Sequence, residues 1–299
     1  MHVPQDGIFT PLSPHHYFLE FSLRGDEALG DLKSALHGIV RPQPGTEPYM
    51  VIGFGSRLWG QIAPDITPAL LRPFSPVKGR AGKVAPATQH DLWLWVHGSS
   101  DGDNFDLAMQ AHDLLAPSAS LSMDVCGFTY RGGRDLTGFV DGTANPQGEE
   151  AREVALIPAA ETGEGGSYVL AMRWMHDLPA FNALPIPEQE AVIGRTKEES
   201  DELPPELKPE TAHISRMEVE SGGEELQIYR RSTPYGNMKE KGLYFLAFSA
   251  DPGRYEQMLA RMYGVSEDGV EDRLTDFSRP VSGSYFFTPS RELLAGVLG

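Results

Sequence analysis

Three short stretches of the chain carry residue types that can do acid–base and metal chemistry together. The run Gly138-Phe139-Val140-Asp141-Gly142-Thr143-Ala144-Asn145-Pro146 puts a carboxylate in a glycine-flanked turn. Glycine admits left-handed backbone and lets the chain approach a ligand closely. Thr143 and Asn145 add polar groups, and exposed amides in such a turn can hold an anion. Asp-Gly alone is an ordinary surface turn, so the longer string is what singles this one out. A lone His213 ends Lys208-Pro209-Glu210-Thr211-Ala212-His213. Further on, Arg230-Arg231-Ser232 closes a strand-like segment. Strand alternation sends the two arginines to opposite faces, so that one could enter a pocket while the other meets solvent, or both could be exposed at a strand end. The set offers a base, a metal ligand and a fixed cation.

The metal such a set can serve is narrow. There is no H-E-x-x-H and no clustered histidine pair among the nine histidines, so zinc hydrolysis has little support. Cys126 is the only cysteine. That excludes an internal disulfide, Cys-rich zinc sites, thiolate-held clusters and covalent C-x-x-C-H haem attachment. One histidine is enough for haem iron, because the porphyrin supplies the other four nitrogens. A ligating imidazole needs its second nitrogen held by an acceptor; Glu202 could do this, although its acidic run Glu198-Glu199-Ser200-Asp201-Glu202 reads first as a solvated loop.

The 299 residues suffice for two cores of ordinary size, and 40% are apolar. Net charge is −17, which argues against nucleic acid or an anionic membrane as partner. No apolar run approaches the roughly 20 residues that span a bilayer. The start, Met1-His2-Val3-Pro4-Gln5-Asp6, has no basic region and no apolar signal core, so a cytoplasmic location is expected.

The elements that must position these residues read as strand and helix in alternation. Strands are expected over 17–23, 49–54, 92–98 and 121–130, with helices over 26–39 and 104–115, the latter capped by Asp103 or Asn104. Residues 61–86 read mostly as loop. That order, β-α-β-β-α-β, is a ferredoxin-like unit. The second half repeats it more loosely. Strands are expected over 167–175, 226–230, 242–249 and 284–287, helical pieces over 178–193 and a loop over 196–209. A helix over 252–263 would follow Asp251 as cap and stop at Gly264. The fold class expected is α+β: two tandem ferredoxin-like domains, 1–140 and 141–299, with antiparallel sheets and peripheral helices, resembling a dimeric α+β barrel.

Taken in order, GFVDGTANP, GRTK at 194–197, KPETAH ending at His213 and IYRRSTPYG at 228–236 closely resemble the dye-decolorising peroxidases. The ending FSRPVSGSYFF at 277–287 is similar too, and the resemblance covers nearly the whole chain. The short form without an export signal resembles the bacterial B-type subgroup, the P class. The resemblance implies one non-covalent haem b per chain, held mainly by the C-terminal domain, and a peroxidase that reduces hydrogen peroxide and oxidises dyes, phenolic or other aromatic donors in one-electron steps. It implies Asp141 and Arg230 as the catalytic pair, His213 as iron ligand and Glu202 as its carboxylate partner. Gly142, Thr143, Ala144, Arg195, Arg230 and Ser232 would line or hold the haem. Ser232 stands where some members carry Asn and is expected to contact peroxide less directly. Arg230 is expected to lower the Asp141 carboxyl, giving best turnover in mildly acidic solution. Trp59, Trp93, Trp95, Trp174 and the ten tyrosines are candidate electron relays. A homo-oligomer is expected. Encapsulin cargo is not, because the chain stops soon after its last strand. The competing functions are a haem carrier or iron-from-haem releasing protein, which would use the same His213, and a haem-free binding module.

Overall fold

In the computed structural model, which describes residues 2–40, 45–80 and 82–299, eight antiparallel strands close into a ring. They are β1 (His15–Leu23), β2 (Tyr49–Phe54), β3 (Leu92–Gly98), β4 (Ala119–Phe128), β5 (Ser167–His176), β6 (Thr233–Gly236), β7 (Lys241–Ser249) and β8 (Ser284–Thr288). The first four pair in the order β4-β1-β3-β2, and the last four in the same relative order, β8-β5-β7-β6. Two seams join the halves. Phe287 of β8 pairs with Phe54 of β2, and Tyr235 of β6 pairs with Gly127 of β4, one registered residue pair at each seam. The architecture is thus mixed helix and strand around an antiparallel barrel. Among the described residues no helix is long and apolar enough to cross a membrane. Met1, and Ala81 in the loop expected over 61–86, lie outside the described residues.

Strand alternation divides the apolar side chains into layers. One set fills the barrel: Phe18 of β1, Trp93 and Trp95 of β3, Tyr244, Leu246 and Phe248 of β7, and Phe286 of β8. The opposite faces of β1, β2 and β3 pack on α1 (Leu29–Ile39) and α2 (Asp101–Leu115) through Leu32, Leu36, Leu107, Ala111 and Leu115. The outer face of β5 packs on the helix Gly253–Met262 through Tyr255, Met258, Leu259 and Met262. The cap of α2 is Ser100, whose Oγ accepts from Asp103 N–H at 3.3 Å, in place of the expected Asp103 or Asn104. Asn104 is drawn inward instead, where its Nδ2 donates to His15 O and Gly98 O.

The barrel interior also holds a carboxylate. Glu20 is fully buried and accepts from Tyr244 Oη and Ser284 Oγ, both at 3.2 Å, while Tyr244 Oη accepts from Trp93 Nε1 at 3.0 Å. Burial pushes the Glu20 carboxyl up to about 7, although the two hydrogen bonds pull the other way. The folded state therefore holds a proton that the unfolded chain releases near 4.5. Stability falls as pH rises from 4.5 towards 7, by up to about 3 kcal/mol, and stays lower above that. Glu20→Gln should remove this loss. Urea unfolding at pH 5 and pH 8 measures it, and an equal pH dependence in both proteins would refute the assignment.

Candidate functional site

Two cavities meet at the turn that carries Asp141. The first, about 410 Å³, lies between the outer face of β5 and β7 and the helices His213–Met217 and Gly253–Met262. Leu170, Met172, Trp174, Leu243, Phe245 and Met258 give it apolar walls. Asp141, Gly142, Thr143, Ala144, Arg195, Glu202, His213 and Arg230 all line it. The second, about 570 Å³, is lined by Thr10, Tyr130, Arg134, Arg152, Arg231 and Ser232, and it shares Asp141, Gly142 and Arg230 with the first. The carboxylate and the guanidinium thus stand in the wall between two spaces.

The turn is shaped from both ends. Gly138 and Gly142 take φ of +92° and +79°, which a residue with a Cβ adopts only under strain. A Cβ on Gly138 would also meet the Lys197 side chain at 2.8 Å. Asn145 ties the turn to the strand carrying Arg230: its Nδ2 donates to Arg230 O at 2.9 Å, and Arg230 N–H donates to its Oδ1 at 2.8 Å. This amide clamp spans 85 positions of sequence. Asn145→Ala leaves both Arg230 backbone groups unpaired. It is expected to cost about 1–3 kcal/mol of stability in chemical unfolding and to slow any reaction that needs Asp141 and Arg230 together.

Only Tyr229–Arg230 of the strand expected over 226–230 pairs in the sheet. Leu226 N–H bonds Val219 O instead, and Leu226, Gln227 and Ile228 turn aside to wall the first cavity. Arg230 faces that cavity, and its Nε is buried without a partner. Arg231 does not meet solvent as alternation suggested. It is 7% exposed, donates to Thr10 O at 2.5 Å and Pro11 O at 3.3 Å, and lies over the Trp95 ring at 5.4 Å. The N-terminal segment, out of sight from the sequence, supplies those acceptors. Ser232 is absent from the lining of the first cavity. Its Oγ accepts from Leu246 N–H at 3.4 Å, and it borders the second cavity.

His213 opens the five-residue helix His213–Met217, and its partner is not Glu202. Its Nδ1 lies 2.6 Å from Asp272 Oδ2, which leaves Nε2 for the cavity. Asp272 is fully buried, and its Oδ1 also accepts from Leu274 N–H at 2.8 Å, so both oxygens are fixed. Glu202 is held elsewhere. Lys208 Nζ is 2.5 Å from its Oε1, and Arg195 Nη2 is 3.7 Å from its Oε2. The hydrogen bond from Lys208 keeps the Glu202 carboxyl below its ordinary range, and a charge already paired with lysine is a poor acceptor to spare for imidazole. Arg195 stands at the cavity edge with Nη1 on Ser200 O at 2.9 Å. Asp272 was missed because it lies 59 positions away from His213. Its one local sign is that it caps the short helix Arg273–Asp276.

The sign of the Asp141 shift also differs from expectation. Burial raises its carboxyl, and this outweighs the lowering by Arg230; Asp135 adds to the rise. A raised carboxyl beside a guanidinium can take and return a proton nearer neutral pH than a free aspartate does. The arrangement can therefore combine proton transfer, charge stabilisation and one imidazole ligand in a single apolar slot.

The family model for the N-terminal part of Dyp-type peroxidases matches residues 5–129, and that for the C-terminal part matches residues 132–293. A dye-decolorizing peroxidase from Rhodococcus erythropolis is 36% identical, covering 98% of this chain and 88% of the relative. One from Mycobacterium tuberculosis is 33% identical, covering 96% and 88%. Among solved structures, a DypB variant from Rhodococcus jostii in complex with heme has a TM-score of 0.91 at 32% identity, covering 98% of each chain. A dye-decolorizing protein from V. cholerae has a TM-score of 0.87 at 33% identity, covering 98% of this chain and 99% of that one. With both family models together spanning nearly all its residues, the chain belongs to the Dyp-type peroxidase family.

Proposed function

We propose that the chain is a haem-dependent peroxidase that reduces hydrogen peroxide and oxidises dyes, phenols or other small aromatic donors in one-electron steps. One observation carries this reading. Asp141, Arg230 and a His213 anchored by a buried carboxylate all border the same apolar cavity. The residues fit haem b: apolar walls for the ring, His213 with Nε2 free while the other lining imidazole, His176, is engaged at both nitrogens, a glycine at 142 in left-handed backbone, and the unpartnered Nε of Arg230. The strand orders of the two halves support the finer description of the fold as tandem ferredoxin-like units, 1–140 and 141–299, the second carrying the cofactor.

Haem bound there would supply the iron that takes up peroxide and the oxidising equivalents passed on to donors. His213 would hold the iron through Nε2. Asp272, accepting from Nδ1–H, fixes the tautomer and orients the ring. Asp141 takes a proton from peroxide and returns it to the departing oxygen, while Arg230 neutralises the negative charge that develops there. Gly142, Thr143 and Ala144 keep the backbone close over the site, and Arg195 offers a cation at the rim. The second cavity reaches Asp141 and Arg230 from the other side and provides an approach for peroxide. Of the four tryptophans, Trp174 alone lines the first cavity, while Trp59, Trp93 and Trp95 are fully buried; Trp174 is the relay this reading favours.

The test is an absorption spectrum of the haem-loaded protein before and after one equivalent of peroxide. Rapid conversion to an oxidised spectrum, followed by two one-electron returns with an added phenol, is the expected result. Fast haem exchange with no response to peroxide would favour a carrier and defeat the proposal.

A further inference from the structure

Behind Asp141 its turn is held by a second buried acid–imidazole pair. Asp135 Oδ1 lies 3.1 Å from His176 Nε2, and His176 Nδ1 lies 2.8 Å from Ser278 Oγ. Asp135 Oδ2 accepts from Thr137 N–H at 2.9 Å and from Thr137 Oγ1 at 2.5 Å. The backbone of Asp135 closes the turn, with its N–H on Phe139 O at 2.8 Å and its carbonyl accepting from Gly138 N–H at 2.9 Å. His176 belongs to β5, so the pair links the turn to the barrel. The two side chains are only 6% and 13% exposed, and both border the cofactor cavity beside Asp141.

Packing alone does not call for such a pair. A carboxylate and an imidazole taken out of water together are costly, and apolar residues of similar volume commonly do as well or better. The charges themselves reach Asp141. Those facing it are Arg230 from the short strand, His213 from its helix and Asp135 from its own turn. Those facing Asp135 are His176 from β5 and Asp141. Arg134 braces the back of the turn through Gly138 O, and Lys197 lies over the Phe139 ring. Burial would raise the Asp135 carboxyl, but the charge and hydrogen bond of His176, with those from Thr137, hold it down at about 2. Asp135 is therefore an anion wherever Asp141 titrates.

We propose that the Asp135–His176 pair is the positioning device of Asp141, locking its turn to β5 and setting, through the Asp135 carboxylate and the imidazole that holds it, how readily Asp141 takes a proton. The inference rests on the peroxidase reading for what Asp141 does, but the pair acts on Asp141 whether or not peroxide is present.

Haem-loaded His176→Gln, Asp135→Asn and the double variant test it. The protonated-carboxyl infrared band that disappears in Asp141→Asn is titrated without peroxide, and the pH profile of the peroxide reaction is measured alongside. His176→Gln leaves the Asp135 anion unbalanced and should raise the Asp141 midpoint by about one pH unit. Asp135→Asn should lower it, and the double variant should return towards the wild-type value. Ser278→Ala loosens His176 without removing a charge, so it should slow the peroxide reaction with the midpoint unmoved. That variant also serves should Asp135→Asn not fold. Unmoved midpoints in both charge variants, or shifts of the same sign, overturn the proposal. Wild-type protein inert to peroxide overturns the peroxidase reading instead, and the infrared midpoints still decide the role of the pair.

Discussion

His213→Ala is expected to abolish stable haem retention. The cavity has one imidazole positioned for iron, because the other in its lining, His176, has both ring nitrogens engaged by Ser278 and Asp135. Protein reconstituted with haem and passed through a desalting column should keep its Soret band in the wild type and lose it in the variant. Asp272→Asn should be milder, because it loosens the ring without removing the ligand. Losing such an outer partner typically costs about 10–100-fold in metal affinity. Glu202→Gln separates the two candidate partners. Its carboxylate belongs to Lys208 and Arg195, so haem affinity should change little. A Glu202→Gln loss equal to that of Asp272→Asn would contradict the geometry at His213.

Asp141→Asn should keep haem and lose the peroxide reaction. An amide fills the same space but cannot take a proton, and general acid–base catalysis is typically worth about 10²–10⁴-fold. Stopped-flow spectra after mixing with peroxide measure the drop directly. Arg230→Leu should also slow that step, because it removes the cation beside the developing charge. The pH dependence follows from the raised Asp141 carboxyl. The base form is present above its midpoint and is lost as pH falls through it. The peroxide step should therefore rise with pH through a limb lying above the ordinary 3.8 and then level off. Burial dominates the shift even with Arg230 alongside, so a limb below 3.8 would contradict the structure. Wild-type peroxide rates in Asp141→Asn would remove the residue from the chemistry altogether.

Much of this was legible in the sequence, for reasons that are local. Periodicity located β2 and β3 to the residue, because buried strands such as LWLWVHG are continuous apolar runs. The Asp141 turn was legible because glycines at 138 and 142 announce left-handed backbone. What stayed hidden depended on distant chain. The Asp272 partner of His213, the Asn145 clamp and the acceptors of Arg231 all lie 59 or more positions away. The helix Gly148–Ala155 was missed because eight residues with charged Glu149, Glu150, Arg152 and Glu153 resemble a solvated loop until Ala151, Val154 and Ala155 find the barrel. The four-residue strand β6, with Pro234 in it, is likewise below what pattern can resolve. The direction of the Asp141 shift was misjudged because a sequence displays the neighbouring arginine but not the depth of burial.

The two seams of the ring have a consequence for motion. Phe54 with Phe287 and Gly127 with Tyr235 are single registered pairs, whereas β1 and β3 share seven. Backbone amides flanking those lines have few ladder bonds to break, so they are released to solvent by sub-global opening rather than by complete unfolding. Deuterium uptake at residues 54, 127, 235 and 287 should outrun that at residues 93–96 by orders of magnitude.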